Sequence, residues 1–228
     1  MSAVYGGHRG DFAVNRGSVM LHARLQLPAG DAPLPCVIFL HGLGGADQCM
    51  QTSVLSRRLL EAGVGVTLFD LSGQGASSAG RQAGEEAYME DLETVFRWIA
   101  ARPDVDADLL GIAAFAEGGE ITLRAIRHSL ARPTAVALLS PVLEPCGFTR
   151  IAVPTLVIAG SEDPLLDQLR TLISRSECAS LALVPGAGAL FEEPGALRWA
   201  AALTVDWYRR QLRAGREPPS WLDLGGGD

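Results

Sequence analysis

Cysteine is scarce in this 228-residue chain, and its four copies, Cys36, Cys49, Cys146 and Cys178, lie far apart with no C-x-x-C pair. That spacing suggests neither a zinc site nor a dense disulfide framework, and it suits a reducing compartment. Long apolar runs are missing too. No stretch of about 18 apolar residues occurs, and Met1 to Asp11 has no apolar core of signal-peptide length, so a cytoplasmic protein is expected. Basic residues are outnumbered, 19 against 26 acidic, and the net charge of -7 would be repelled by phosphate backbones and anionic lipid. Neither nucleic acid nor a membrane is an expected partner. The glycine-containing loops match neither G-x-G-x-x-G nor the P-loop spacing, so no cofactor is implied, and no metal.

What is present reads as a globular α/β chain. Hydrophobic residues make up 48% and charged residues 20%, and the length suits one domain over residues 1–216, with a Pro- and Gly-rich tail at 217–228. Phe12 to Leu27 alternates in hydrophobicity and breaks at Asn15-Arg16-Gly17, which predicts two antiparallel strands at one sheet edge. Six short aliphatic runs follow: Cys36 to Leu40, Val64 to Phe69, Leu109 to Ala114, Ala135 to Leu139, Thr155 to Ala159 and Ser180 to Val184. Helical stretches separate them, which predicts a mostly parallel sheet covered on both faces. Tyr88, Leu92, Val95 and Ile99 recur at helical spacing, with Glu93 four residues before Arg97. Glu120 likewise stands four before Arg124, and a last helix is expected from about Leu197 to Leu212. The short span between Leu139 and Thr155 leaves no room for a helical lid.

Five segments at the ends of these runs carry the chemistry. They are His41-Gly42-Leu43-Gly44-Gly45, the loop from Phe69 through Asp70-Leu71-Ser72-Gly73-Gln74-Gly75 to Ser78, the strand-to-helix junction Ala114-Phe115-Ala116-Glu117-Gly118-Gly119, then Gly160-Ser161-Glu162-Asp163, and Gly186-Ala187-Gly188-Ala189. In that order they resemble the α/β-hydrolase superfamily, in particular its small lidless branch of dienelactone-hydrolase-like and acyl-peptidase-like esterases. The resemblance covers roughly Ser18 to Arg210. It implies that the first segment is an oxyanion loop, that the second has Ser72 in place of an arginine, and that the third is a nucleophile elbow. Ala116 would then stand at the nucleophile position and Ala189 at that of the histidine, with Asp163 as the acid. Asp163 before Pro164 also reads as a helix N-cap.

Alanine at both positions removes the attacking hydroxyl and the base that activates it. Losing either in a model protease costs about 10⁶-fold in rate, roughly 8 kcal/mol, so ordinary triad hydrolysis is not expected. The backbone N–H groups of Leu43 and Glu117 would still form an oxyanion hole. Three readings compete. One is a non-hydrolytic enzyme acting on a small organic molecule, a cyclase, lyase or C–C-bond-forming catalyst with Asp163 or Glu117 as base. The second is a ligand- or partner-binding pseudohydrolase, and the third a serine ester hydrolase with alanine substituted at 116 and 189. The expected pocket is bounded by His41, Cys49, Met50, Gln74, Cys146, Phe148 and Phe191, although the apolar members could equally be core.

Overall fold

The computed structural model describes residues 9–31, 33–41, 49–78 and 84–212, the side chains of Cys49 and Met50 excepted. The tail at 217–228 lies outside the described residues. β1 (Arg9–Arg16) and β2 (Val19–Gln26) pair antiparallel with Arg16 opposite Val19. The intervening two-residue turn is Gly17-Ser18, slightly later than the sequence break, and Gly17 takes the positive φ of 58° that such a tight hairpin needs.

Six more strands follow: β3 (Leu34–Leu40), β4 (Gly65–Phe69), β5 (Val105–Phe115), β6 (Ala135–Leu139), β7 (Thr155–Gly160) and β8 (Ala179–Val184). The sheet order is β1-β2-β4-β3-β5-β6-β7-β8. β2 pairs antiparallel with β4, and every pairing from β4 to β8 is parallel. This is the α/β-hydrolase fold with its antiparallel N-terminal edge, as the alternation of runs and loops predicts.

Strand side chains alternate between two apolar layers. Cys36, Ile38 and Leu40 of β3 join one layer with Leu110, Ile112 and Ala114 of β5, while Val37, Phe39, Ala113 and Phe115 face the other. Burying both faces explains why these runs are continuously apolar rather than alternating. The first layer is closed by α2 (Glu85–Ala100), α3 (Gly118–Arg127) and α4 (Leu166–Ile173), the second by α1 (Cys49–Glu61) and α5 (Ala196–Gln211).

Leu92, Val95 and Ile99 are fully buried in α2 as their spacing predicts, and Glu93 pairs with Arg97 at 3.6 Å. One buried residue of that helix is polar. The carboxylate of Asp91 accepts from Arg16 Nε at 2.6 Å and from the Ser72 N–H at 2.8 Å, which ties α2 to the hairpin and to the loop after β4. The expected Glu120–Arg124 pairing does not form. Glu120 is buried and instead meets Arg127 at 2.7 Å and the Glu144 N–H at 3.1 Å, while Arg124 reaches across to Glu85 of α2. Docking against the 144–147 turn outweighs the local helical pair.

α5 is locked to the sheet by Tyr208. Its Oη donates to the Ile112 carbonyl at 2.6 Å and accepts from the Ala137 N–H at 3.1 Å. The ring needs the glycine at 111, where a Cβ would lie 2.5 Å from Tyr208 Cε1. Residues 140–154 contain no helix, so nothing lid-like is inserted between β6 and β7. Among the described residues no helix is long and apolar enough to cross a membrane.

Candidate functional site

From β3 the chain moves outward to β4, then returns across β3 to β5 and continues to β6. The reversal leaves a crevice beyond the C-terminal ends of β3 and β5, where open α/β sheets bind their ligands. His41 leaves β3 on one side of it and Ala116 leaves β5 on the other. The two backbones approach closely: a Cβ at Gly118 would lie 2.9 Å from both the Leu40 and the His41 carbonyl oxygens. Only glycine lets α3 begin there.

The turn from β5 into α3 is sharp. Ala116 is non-glycine yet adopts φ 46°, and is half-buried. Its N–H donates to the Leu139 carbonyl at the end of β6, and its own carbonyl accepts from Gly119 in α3 and from Val142 in the loop after β6, so three backbone bonds hold the strained turn. The first turn of α3 presents the positive end of its helix dipole here. Glu117 is exposed at that turn, and so lacks the apolar enclosure that would favour a carboxylate as a base.

One strand further, Ser140 repeats the pattern. It has φ 39°, its N–H donates to the Ile158 carbonyl, and its Oγ is buried without a hydrogen-bond partner. An unsatisfied buried hydroxyl costs about 1–3 kcal/mol, and a non-glycine residue in this backbone region costs a similar ~1–3 kcal/mol. Sequence reasoning missed Ser140, because neither its φ nor its isolation is written in the Ser-Pro dipeptide.

The loops after β7 and β8 are joined. A Cβ at Gly160 would lie 1.9 Å from the Ala187 carbonyl oxygen, and the Glu162 N–H donates to that oxygen at 2.9 Å. Asp163 and Ala189 therefore sit in touching loops. Asp163 is buried, and its Oδ1 accepts from the Leu165 N–H at 2.9 Å just ahead of α4. This bond is a local Asx turn and not the helix N-cap read from the Asp-Pro pair: α4 starts two residues later than an N1 proline would place it, with Leu165 at its N-cap and no side-chain cap. Gln51 of α1 closes the ring, its Nε2 donating to the Leu190 carbonyl at 2.6 Å across 139 residues of sequence. Gln51 also went unread in the sequence.

Other expected pocket residues are not brought together. Phe148 belongs to the layer under α2, α3 and α4, and Phe191 to the layer under α1 and α5, so the two lie on opposite faces of the sheet. Cys146 is exposed, and its carbonyl accepts from Arg127 in the last turn of α3, away from the sharp turn at Ala116. The loop carrying Gln74 folds back on β2, where Ser77 Oγ accepts from the His22 N–H and the Ser78 N–H donates to the Met20 carbonyl, on the side away from β5. Leu43 lies outside the described residues, as do the side chains of Cys49 and Met50.

A family model described as serine aminopeptidase, S33, matches residues 31–148. Among solved structures, a dienelactone hydrolase from Anabaena variabilis is 25% identical with a TM-score of 0.78, covering 91% of this chain and 99% of that one. An α/β serine hydrolase homologue from Coxiella burnetii is 23% identical with a TM-score of 0.72, covering 90% of this chain and 99% of its own. Two Mycobacterium tuberculosis proteins, provisionally named phosphoribosyl transferases, are 29% identical over 198 residues, 84% of this chain. The chain spans only 44% of their length. The matched family segment takes in more than half of the chain and includes the crevice between β3 and β5, and the chain belongs to the serine aminopeptidase S33 family, on the α/β-hydrolase fold.

Proposed function

We propose that this chain is a non-hydrolytic member of its family, which holds a small organic molecule by a carbonyl or carboxylate oxygen at the crevice between β3 and β5. Ala116 occupies the nucleophile position and Ala189 that of the histidine. The observation that carries this reading is the strained φ of 46° at Ala116, a methyl-bearing residue on a turn whose geometry serves to display a nucleophile. With no hydroxyl there, no acyl-enzyme forms through the elbow. What remains is the positive end of α3 and one buried carboxylate, Asp163. Reactions that need a stabilised oxyanion and a proton transfer, such as cyclisation, lyase cleavage or C–C bond formation, are within the reach of those groups.

A second reading, ligand binding without chemistry, is favoured by Asp163 itself, whose Oδ1 is already engaged by the Leu165 N–H. The relatives named as transferases fit either reading, since most of their length lies beyond the part this chain matches.

The test uses 4-nitrophenyl butyrate. The unmodified chain should release no 4-nitrophenolate above the rate in buffer, whereas the Ala116→Ser/Ala189→His double variant should show ester hydrolysis. Turnover by the unmodified chain at rates typical of esterases, about 1 s⁻¹ or faster, would overturn the proposal.

A further inference from the structure

We propose that Ser140 is a ligand-contacting residue, its hydroxyl donating a hydrogen bond to the oxygen of the molecule held beside Ala116. The inference deepens the reading just given and rests on it. Two independent features of Ser140 are unfavourable to the folded chain: a non-glycine side chain at φ 39° and a buried hydroxyl that bonds to nothing. Glycine at this position would remove both, since it tolerates the backbone angle and carries no hydroxyl. Local rules broken without a structural return are expected where a site is being built.

The place agrees with that. Ser140 directly follows β6, the strand beside β5, and its chain neighbour Leu139 accepts the Ala116 N–H. Pro141 follows against the first turn of α3, its Cβ 2.7 Å from where a Cβ on Gly119 would stand. Ser140 is thus fitted between the sharp turn and the end of β7, whose Ile158 carbonyl takes its N–H. Five non-glycine residues among those described have positive φ, and two of them, Ala116 and Ser140, directly follow the C-terminal ends of the adjacent parallel strands β5 and β6. Strain gathered at one end of a sheet marks a ligand site rather than random imperfection. A bound oxygen acceptor would give the Ser140 hydroxyl the partner it lacks, in the region where the α3 dipole favours a partial or full negative charge. The ligand class is therefore a small molecule bearing a carbonyl or carboxylate.

The probe is 4-nitrophenyl butyrate, with its dissociation constant measured by calorimetry on the unmodified chain and on Ser140→Ala. The expected result is binding to the unmodified chain, weakened about tenfold in the variant as befits one neutral hydrogen bond. The Tm of the variant should be unchanged or higher. Equal affinity in the two proteins would overturn the role of Ser140 and leave the crevice reading standing. Absence of binding to the unmodified chain would overturn both. A lower Tm in Ser140→Ala would show that the hydroxyl has a structural partner after all, and would also overturn the inference. Ser140→Gly serves as a second variant, expected to raise the Tm further by relieving the φ of 39°.

Discussion

Replacing Tyr208 with phenylalanine removes one oxygen from the centre of the sheet and leaves the ring in place. The register of β5 and β6 sets Ala113 opposite Ala137, which brings the Ile112 carbonyl and the Ala137 N–H face to face across the ladder. The Tyr208 hydroxyl bridges them, donating at 2.6 Å to the first and accepting at 3.1 Å from the second. Without it the two backbone groups keep their place in the β5–β6 ladder but lose the extra partner, and water cannot reach a residue with no exposed surface. Losing one buried neutral hydrogen bond costs about 1 kcal/mol net, since the hydroxyl no longer has to be desolvated. We expect a net loss of about 1 kcal/mol, which for a chain of this size lowers Tm by roughly 2–4 °C. Urea unfolding followed by circular dichroism should show a lower midpoint with an unchanged slope. Tyr208→Ala should lose about 3–5 kcal/mol through its cavity. If Tyr208→Phe is as stable as the unmodified chain, the ladder alone satisfies these two groups and the hydroxyl is not a structural necessity.

Burial pushes the Cys36 thiol from its ordinary 9.0 up to about 12, against a smaller opposing effect of the bond to Thr67. Because the folded-state value is raised, its contribution is complete below pH 9 and is lost as pH rises toward 12, by up to about 4 kcal/mol at 1.4 kcal/mol per unit. Cys36→Ala should flatten the fall in urea midpoint between pH 9 and 11, and parallel curves for the two proteins would refute the assignment. Tyr208 acts in the same direction at higher pH, since burial raises its phenol well above the ordinary 10.0. Asp91→Asn keeps the shape of a fully buried side chain but withdraws the charge facing Arg16 and Ser72. The expected cost is about 3 kcal/mol, read as a lower urea midpoint, and a neutral result would mean that the Arg16 pair contributes nothing net.

Much of this protein follows from local chemistry written along the chain. Two-sided burial demands the continuous aliphatic runs that became β3 to β8, and alternation with a tight Gly turn demands the β1–β2 hairpin. Glycine at 118 is visible as a letter, so the sharp turn between β5 and α3 could be expected from the order of the motifs, and the alanines at 116 and 189 on which the proposed function rests are visible in the same way. What the letters did not carry were relations between distant segments. Phe148 and Phe191 look alike as apolar loop residues, and only the side of the sheet each loop falls on separates them. Glu120 has a helical partner four residues away, yet tertiary docking turned it to Arg127 and Glu144. Ser140 and Gln51 acquire meaning solely from where β6 and α1 come to rest, one beside the strained end of β5 and the other against Leu190. Periodicity and turn chemistry act over a few residues and are legible in order. Strain, burial and satisfaction of a single hydroxyl depend on every neighbour in space, and those neighbours are chosen only when the sheet closes.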